Sequence, residues 1–105
     1  MTNAELISEI KRATNLSVSR DHADVGTKVP FQTIKFSQPD NFAADNGVYF
    51  EKNDVSLKLY CFKIDPQLEQ PIKDLLSSLG LGWTREETYL DDEKVWEVEF
   101  GFETL

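Results

Sequence analysis

The chain has 105 residues, 40% of them hydrophobic and 29% charged, with a formal net charge of −8. This composition is typical of one globular domain, which we expect to span residues 1–105, and no apolar run approaches the roughly 20 residues of a membrane helix. Polar residues are spread throughout the N-terminal segment 1–15, unlike in a signal peptide, so we expect a cytosolic protein. A surface of this charge repels the nucleic-acid backbone, so no sequence-specific nucleic-acid binding is expected.

The first predicted element is a helix that begins after Thr2. Thr2 and Glu5 fit a T-x-x-E capping box, in which each side chain binds the other residue's backbone N–H. Asn15 suits the position that ends the helix. The apolar residues of this segment share one helical face: Leu6, Ile7, Ile10 and Ala13.

Two strands separated by a loop are predicted next. Apolar residues alternate in the segments 16–20 and 31–37, which indicates strands. The segment 21–30 has no apolar period and is predicted to be a loop, as is 38–47. Both loops are long for a compact domain, and such loops often bind another molecule.

A third and a fourth strand are predicted around an Asn-Asp turn. The segment that begins at Val48 favours a strand, and Asn53 and Asp54 favour a hairpin turn after it. In the following strand Val55, Leu57, Leu59 and Cys61 point one way, and the opposite set ends in aromatic residues. We therefore predict a central strand with both faces occupied.

The second helix is predicted to begin at Asp65-Pro66. Asp is a good N-cap, and Pro suits the first helical position because its missing N–H would be unpaired there. Pro71 is unfavourable inside a helix, so the helix either kinks there or starts afresh with Pro71 near its beginning. We favour the fresh start, and Gly80 ends the helix.

The chain is predicted to end in two strands, at 83–90 and 94–103, joined by an acidic turn at 91–93. The last strand alternates strictly, with Trp96, Val98, Phe100 and Phe102 on one face. Glu97, Glu99 and Glu103 fall on the other face, which we predict to be solvated. The full order is α-β-β-β-β-α-β-β, which indicates an α+β fold: a mostly antiparallel sheet with both helices packed on one face.

The sequence offers few groups for catalysis or metal binding. His22 lies between Asp21 and Asp24, but it is the only histidine, and a metal site needs convergent ligands, so solvated loop residues are the better interpretation. Cys61 is the only cysteine, which excludes an internal disulfide, and its apolar neighbours favour a buried thiol. No glycine-rich phosphate loop is present. We predict no enzymatic activity, no cofactor and no metal.

Four segments carry a resemblance to a known family: KVPFQTIKF, NFAADNGVYF, LKLYCFKIDPQLEQPIKDLL and EETYLDDEKVWEVEFGF. Together they resemble small proteins from the head–tail joining region of tailed phages and prophages of Gram-positive bacteria. The resemblance covers about three-quarters of the chain, from about Val29 onward. The residues that match the family's motifs are Ala44, Asp45, Asn46, Val48, Tyr49, Leu59, Tyr60, Asp65, Pro66, Glu69, Tyr89, Glu93 and Lys94.

The element order is also similar to the tail terminator fold, which implies a structural role. Such proteins form a ring, usually a hexamer, that caps the tail tube and joins it to the head. The resemblance thus implies tail-tube and head–tail connector partners, a place in the tail or neck of the virion, and a host-cytoplasmic stage during assembly. It fits terminators and neighbouring adaptor or tail-completion proteins alike. The residues expected at interfaces are Asp21, His22, Asp24, Asp45, Asn46, Glu97, Glu99 and Glu103.

The acidic second half of the chain suggests an alternative function. Between Glu86 and Glu103 there are eight carboxylates against one cation, Lys94. An acidic surface can mimic DNA, so the alternative is an inhibitor such as an anti-restriction or DNA-mimic protein.

Overall fold

The computed structural model describes residues 1–37 and 53–104, which form two helices and one five-stranded sheet. The elements are α1 (Asn3–Thr14), β1 (Val18–Arg20), β2 (Phe31–Ser37), β3 (Asn53–Cys61), α2 (Pro66–Ser78), β4 (Trp83–Leu90) and β5 (Val95–Thr104). The predicted α+β class is confirmed, with the order α-β-β-β-α-β-β in the described residues. The additional strand predicted at Val48 lies outside them.

The strands lie in the order β1-β2-β3-β5-β4, which makes β3 central, as predicted. The prediction that both faces of β3 are occupied is wrong, because Leu57 and Leu59 are buried under the helices, whereas Ser56, Lys58 and Tyr60 on the other face are only half-buried. The short β1 pairs with β2 in parallel, and every other neighbouring pair is antiparallel. The sheet is therefore mixed but mostly antiparallel. β5 inserts between β3 and β4, so the last two strands form a hairpin with β4 at the outer side.

The predicted turn at Asn53 and Asp54 is wrong, because both residues belong to β3. Asn53 pairs with Thr104, and Asp54 pairs with Ser37 on one side and Glu103 on the other. Neighbouring strands therefore pair with the backbone of these two residues, and this pairing outweighs the turn preference of an Asn-Asp sequence.

α1 forms the predicted capping box. The Thr2 hydroxyl accepts from the Glu5 backbone N–H at 3.1 Å, and the Glu5 carboxylate accepts from the Thr2 backbone N–H at 3.0 Å. Asn15 ends the helix in the left-handed region at φ 57°. Leu6 and Ile10 are buried, whereas Ala13 is exposed, so the apolar face is narrower than the sequence suggested.

α2 runs unbroken through Pro71, so the predicted fresh start is wrong. Asp65 caps the helix, its Oδ1 accepting from the Gln67 backbone N–H at 2.9 Å. Pro71 removes one backbone donor, but the unbroken helix buries Ile72 and Leu76 in the core. Burial of each such side chain contributes roughly 1.5–3 kcal/mol, enough to offset the missing hydrogen bond.

Both helices pack on one face of the sheet. Buried residues from helices and strands form a single cluster that includes Leu6, Ile10, Ile34, Val55, Leu57, Leu59, Ile72, Leu76, Val98, Phe100 and Phe102. α1 contacts β1, and α2 contacts β4 through an ion pair between Glu69 and Arg85. The α1 side of the domain therefore lies over β1, and the α2 side lies over β4.

Candidate interaction surface

The second face of the sheet is covered by neither helix, and we call it the open face. The registers place on it the residues that alternate with the core positions: Phe31, Thr33, Lys35, Ser37, Asp54, Ser56, Lys58, Tyr60, Thr84, Glu86, Thr88, Leu90, Val95, Glu97, Glu99, Gly101 and Glu103. The aromatic and apolar members of this set lie at one end of the sheet, and carboxylates predominate at the other.

A groove of about 880 Å³ lies at the aromatic end of the open face, below the loop 21–30. Because β1 and β2 are parallel, this loop must return the chain from the end of β1 to the beginning of β2. It does so across the open face, with Gly26 at φ 86°, a conformation that favours glycine. Phe31, Tyr60 and Val95 are among the residues that line the groove on the sheet side.

Apolar side chains around this groove are exposed to solvent. The rings of Phe31 and Tyr60 stack at a centroid distance of 4.8 Å and an angle of 21°. Phe62 is 68% exposed and Val25 fully exposed, and both line the groove. An exposed apolar group rimmed by polar residues is typical of an interaction site.

The Tyr60 phenol lies beside the Glu97 carboxylate and is protonated at neutral pH. Burial of the phenol, and then the neighbouring Glu97 carboxylate, raise the pKa of Tyr60 to about 12. The floor of the groove therefore carries a protonated phenol beside the Phe31 ring.

The carboxylates of β5 are less solvated than predicted. Glu103 is exposed, but the Glu97 side chain is only 19% exposed and lies 3.9 Å from the Lys58 ammonium. Glu99 is half-buried and accepts a hydrogen bond from the Ser56 hydroxyl. These contacts are diagonal across the β3–β5 ladder, which brings the polar side chains of both strands within reach of one another.

Two pairs of carboxylates lie directly opposite one another on neighbouring strands. Glu86 of β4 faces Glu99 of β5, and Asp54 of β3 faces Glu103. Directly opposed like charges destabilise a sheet, so both pairs cost folding energy. They concentrate negative charge at the end of the open face away from the groove.

The structure brings some of the predicted interface residues together and separates others. Asp21, His22 and Asp24 line the groove, and Glu97 lies beside it through its contact with Tyr60. Glu103 lies at the opposite end of the sheet. Asp45 and Asn46 lie outside the described residues.

Neither a metal centre nor a membrane helix is seen in the part of the chain that the structure describes. Within residues 1–37 and 53–104, His, Cys, Asp and Glu side chains form no group of three or more that could hold a metal ion. Among the same residues, no helix has the length and apolar character needed to cross a membrane.

The strongest polar contact between a helix and the sheet was missed in the sequence. The Glu69 carboxylate accepts from Arg85 Nε at 2.6 Å and from Arg85 Nη2 at 3.1 Å, and Arg85 Nη2 also reaches Glu87 at 3.2 Å. The sequence indicates this contact through a carboxylate on the apolar face of α2, because Glu69 lies three residues before Ile72 and seven before Leu76. A carboxylate at such a position needs a cation from another element.

Cys61 is buried in the structure, as predicted. Burial, and then the nearby carboxylates of Glu69 and Asp65, raise the pKa of its thiol. A raised pKa lowers the thiolate fraction, which is the opposite of what a nucleophilic cysteine requires.

Comparison with protein-family models and with curated proteins finds no match to this chain.

Proposed function

We propose that this chain is a structural virion protein, a phage tail terminator or head–tail joining protein that assembles into a hexameric ring at the end of the tail tube. The observation that carries the proposal is the groove, where a small domain exposes Phe62 and Val25 beside stacked aromatic rings. The family motifs named above and the similarity of the element order to the terminator fold support the same role. The tail tube and the head–tail connector are its partners, in the tail or neck of the virion.

The chemistry of the groove suits a protein partner. Aromatic residues form its floor, and charged residues such as Asp21, Asp24, Lys28 and Glu93 lie around it. An apolar centre with a polar rim is the usual arrangement of a protein–protein interface. A second protein can cover the apolar side chains while the rim charges stay hydrated.

We propose a role without catalysis or cofactor. Cys61 is buried with a raised pKa, and the Arg85 guanidinium is bound to Glu69 and Glu87. These groups are held by contacts within the domain.

The test is reconstitution with purified tail tubes that lack their terminal cap, followed by electron microscopy. The wild-type protein should cap the tubes and allow heads to join. The double variant Val25→Ser, Phe62→Ser should fold but cap poorly, because it removes exposed apolar area from the groove. Tyr89→Ser is the matched control, since Tyr89 is also exposed but does not line the groove.

Two results would contradict the proposal. Wild-type protein that neither forms rings nor caps tubes would exclude the terminator role. If the Val25→Ser, Phe62→Ser variant caps tubes as well as wild type does, the groove is not needed for capping.

The opposed carboxylates favour a second candidate, an acidic inhibitor that mimics DNA. The pairs Glu86–Glu99 and Asp54–Glu103 place like charges on one face at a cost in stability, as a mimic of the phosphate backbone would require. Such a protein should inhibit a restriction endonuclease, and inhibition should weaken steeply as salt rises. Glu99→Gln with Glu103→Gln should then weaken inhibition, whereas both changes should leave tail capping intact, because both residues lie on β5, which is not a terminal strand of the sheet.

A further inference from the structure

The two outer sides of the sheet carry opposite charge. The basic edge comprises Lys11, Arg12 and Arg20, at the end of α1 and in β1. From Ile10 to Arg20 these three cations are accompanied by no carboxylate. Arg12 makes only an exposed ion pair with Glu9, 3.0 Å away, which contributes little energy.

The acidic edge lies on the opposite side of the domain, in β4 and the turn after it. It comprises Glu86, Glu87, Asp91, Asp92 and Glu93, all of them exposed. Two cations lie in this segment: Arg85, which is already bound to Glu69 and Glu87, and Lys94 at the end of the turn. The acidic edge therefore keeps an excess of negative charge.

The register places the two edges at the same height in the sheet. Residues that pair in succession across the five strands form one row of the sheet. Val18 of β1 and Glu87 of β4 belong to one row, and Arg20 and Arg85 belong to another. The strand directions along the order β1-β2-β3-β5-β4 make β4 antiparallel to β1. Identical copies placed side by side in the same orientation would therefore bring β4 of one copy antiparallel to β1 of the next.

Both edges leave backbone groups on their outer side. In the described part of the chain, β1 and β4 are the terminal strands of the sheet and have one strand neighbour each. Such an edge is a template for pairing with another chain. β1 has only three residues, so few backbone bonds can form and charge complementarity must supply much of the specificity.

We propose that the acidic edge of one copy docks against the basic edge of a second copy of this chain, continuing the sheet from subunit to subunit. This inference rests on the proposed function, self-assembly into a ring. The contact is heterologous, because different surfaces of the two copies meet, and repetition of a heterologous contact closes into a ring when the rotation allows it.

Charge reversal on each edge separately tests the contact. The first variant carries Glu86→Lys, Asp91→Lys and Asp92→Lys, which makes both edges basic. The second carries Lys11→Glu, Arg12→Glu and Arg20→Glu, which makes both edges acidic. Each variant alone should self-associate at least about tenfold more weakly than wild type, because like charges then meet at every contact.

An equal mixture of the two variants should restore assembly, with the variants alternating around the ring. Glu103→Lys is the control, because it reverses an exposed charge on β5, which is not a terminal strand. Circular dichroism checks that each variant is folded. Sedimentation velocity across a concentration series measures association, and native mass spectrometry of the mixture counts the subunits of each kind.

The outcomes separate this inference from the function on which it rests. Wild type and both variants assembling equally well would overturn the edge contact while leaving the ring. Folded variants that fail to assemble both alone and when mixed would also overturn it, because complementary charge would then not be sufficient. Wild type that never assembles would exclude the ring and the edge contact together.

Discussion

Replacing Arg85 by methionine should destabilise the domain strongly. The Glu69 side chain is 3% exposed, and its carboxylate is bound by Arg85 through two hydrogen bonds of 2.6 and 3.1 Å. With Arg85 removed, the ion pair left to Glu69 among the described residues is the one with Lys73, whose ammonium lies 3.9 Å from its carboxylate. Removing one partner of a buried ion pair costs about 3–5 kcal/mol. A domain of this kind has only about 5–15 kcal/mol of stability, so the variant should lose a large fraction of it.

Removing both charges should be much less damaging than removing one. The double variant Glu69→Leu, Arg85→Met leaves no uncompensated charge in the interior, and apolar replacement of a buried pair is often neutral or stabilising. Lys73→Met is the matched control, because its ion pair with Glu69 is longer and the lysine is 30% exposed. That change should cost less than about 1 kcal/mol.

Urea unfolding followed by tryptophan fluorescence measures all of these variants. Trp83 is a suitable probe, because its ring packs edge-on against Phe100 at 5.6 Å in the core and lies below the Lys73 ammonium. A loss below about 1 kcal/mol for Arg85→Met would show that the pair behaves like a surface salt bridge. A double variant as unstable as the single one would show that lost packing, rather than an unpaired carboxylate, is responsible.

Three further predictions concern stability. Folding raises the pKa of Tyr60 from 10.0 to about 12, so the protonated phenol stabilises the fold below pH 10, and this effect is lost as the pH rises towards 12. The variant Tyr60→Phe lacks this group, so its free energy of unfolding should decline less between pH 10 and 12 than that of wild type. Urea unfolding on either side of pH 10 measures the difference. Pro71→Ala restores a backbone N–H donor for the Gln67 carbonyl, which stabilises α2. The same change gives the unfolded chain more conformational freedom, which offsets part of this gain, so the free energy of unfolding should rise by about 1–2 kcal/mol in the same assay. Gln32→Met removes a buried amide oxygen that has no hydrogen-bond partner among the described residues, but it also removes the 2.9 Å hydrogen bond that Gln32 Nε2 donates to Thr14 Oγ1. The two effects oppose each other, so thermal unfolding should show a change within about 1 kcal/mol, and a larger loss would show that the amide oxygen is satisfied as well.

The sequence predicted those parts of the fold that local chemistry determines. The capping residues Thr2 and Asp65 gave the starts of both helices because an N-cap acts within a few residues. The last strand was predicted with its faces correctly assigned, because alternation between Trp96 and Phe102 follows directly from the geometry of a strand.

Non-local contacts determine the parts that the sequence did not predict. Asn53 and Asp54 favour a turn in isolation, and only their pairing with residues about 50 positions later draws them into β3. Pro71 disfavours a helix, and only the burial of α2 against the sheet compensates for it. The groove depends on where the loop 21–30 crosses the sheet, which no local pattern specifies.

The edges and the groove can serve two different partners in one assembly. The proposed contact between copies uses β1 and β4, whereas Phe62 and Val25 belong to a groove that opens on the face of the sheet. Glu93 borders both the groove and the acidic edge, but the exposed apolar side chains of Phe62 and Val25 lie outside the edge. A ring joined through its edges would therefore leave this apolar part of each groove free for the tail tube. The Val25→Ser, Phe62→Ser variant should then form rings with the wild-type concentration dependence but fail to cap tubes, whereas the charge-reversed variants should lose both properties. A groove variant that loses ring formation as well would place the groove within the contact between copies and contradict this division of roles.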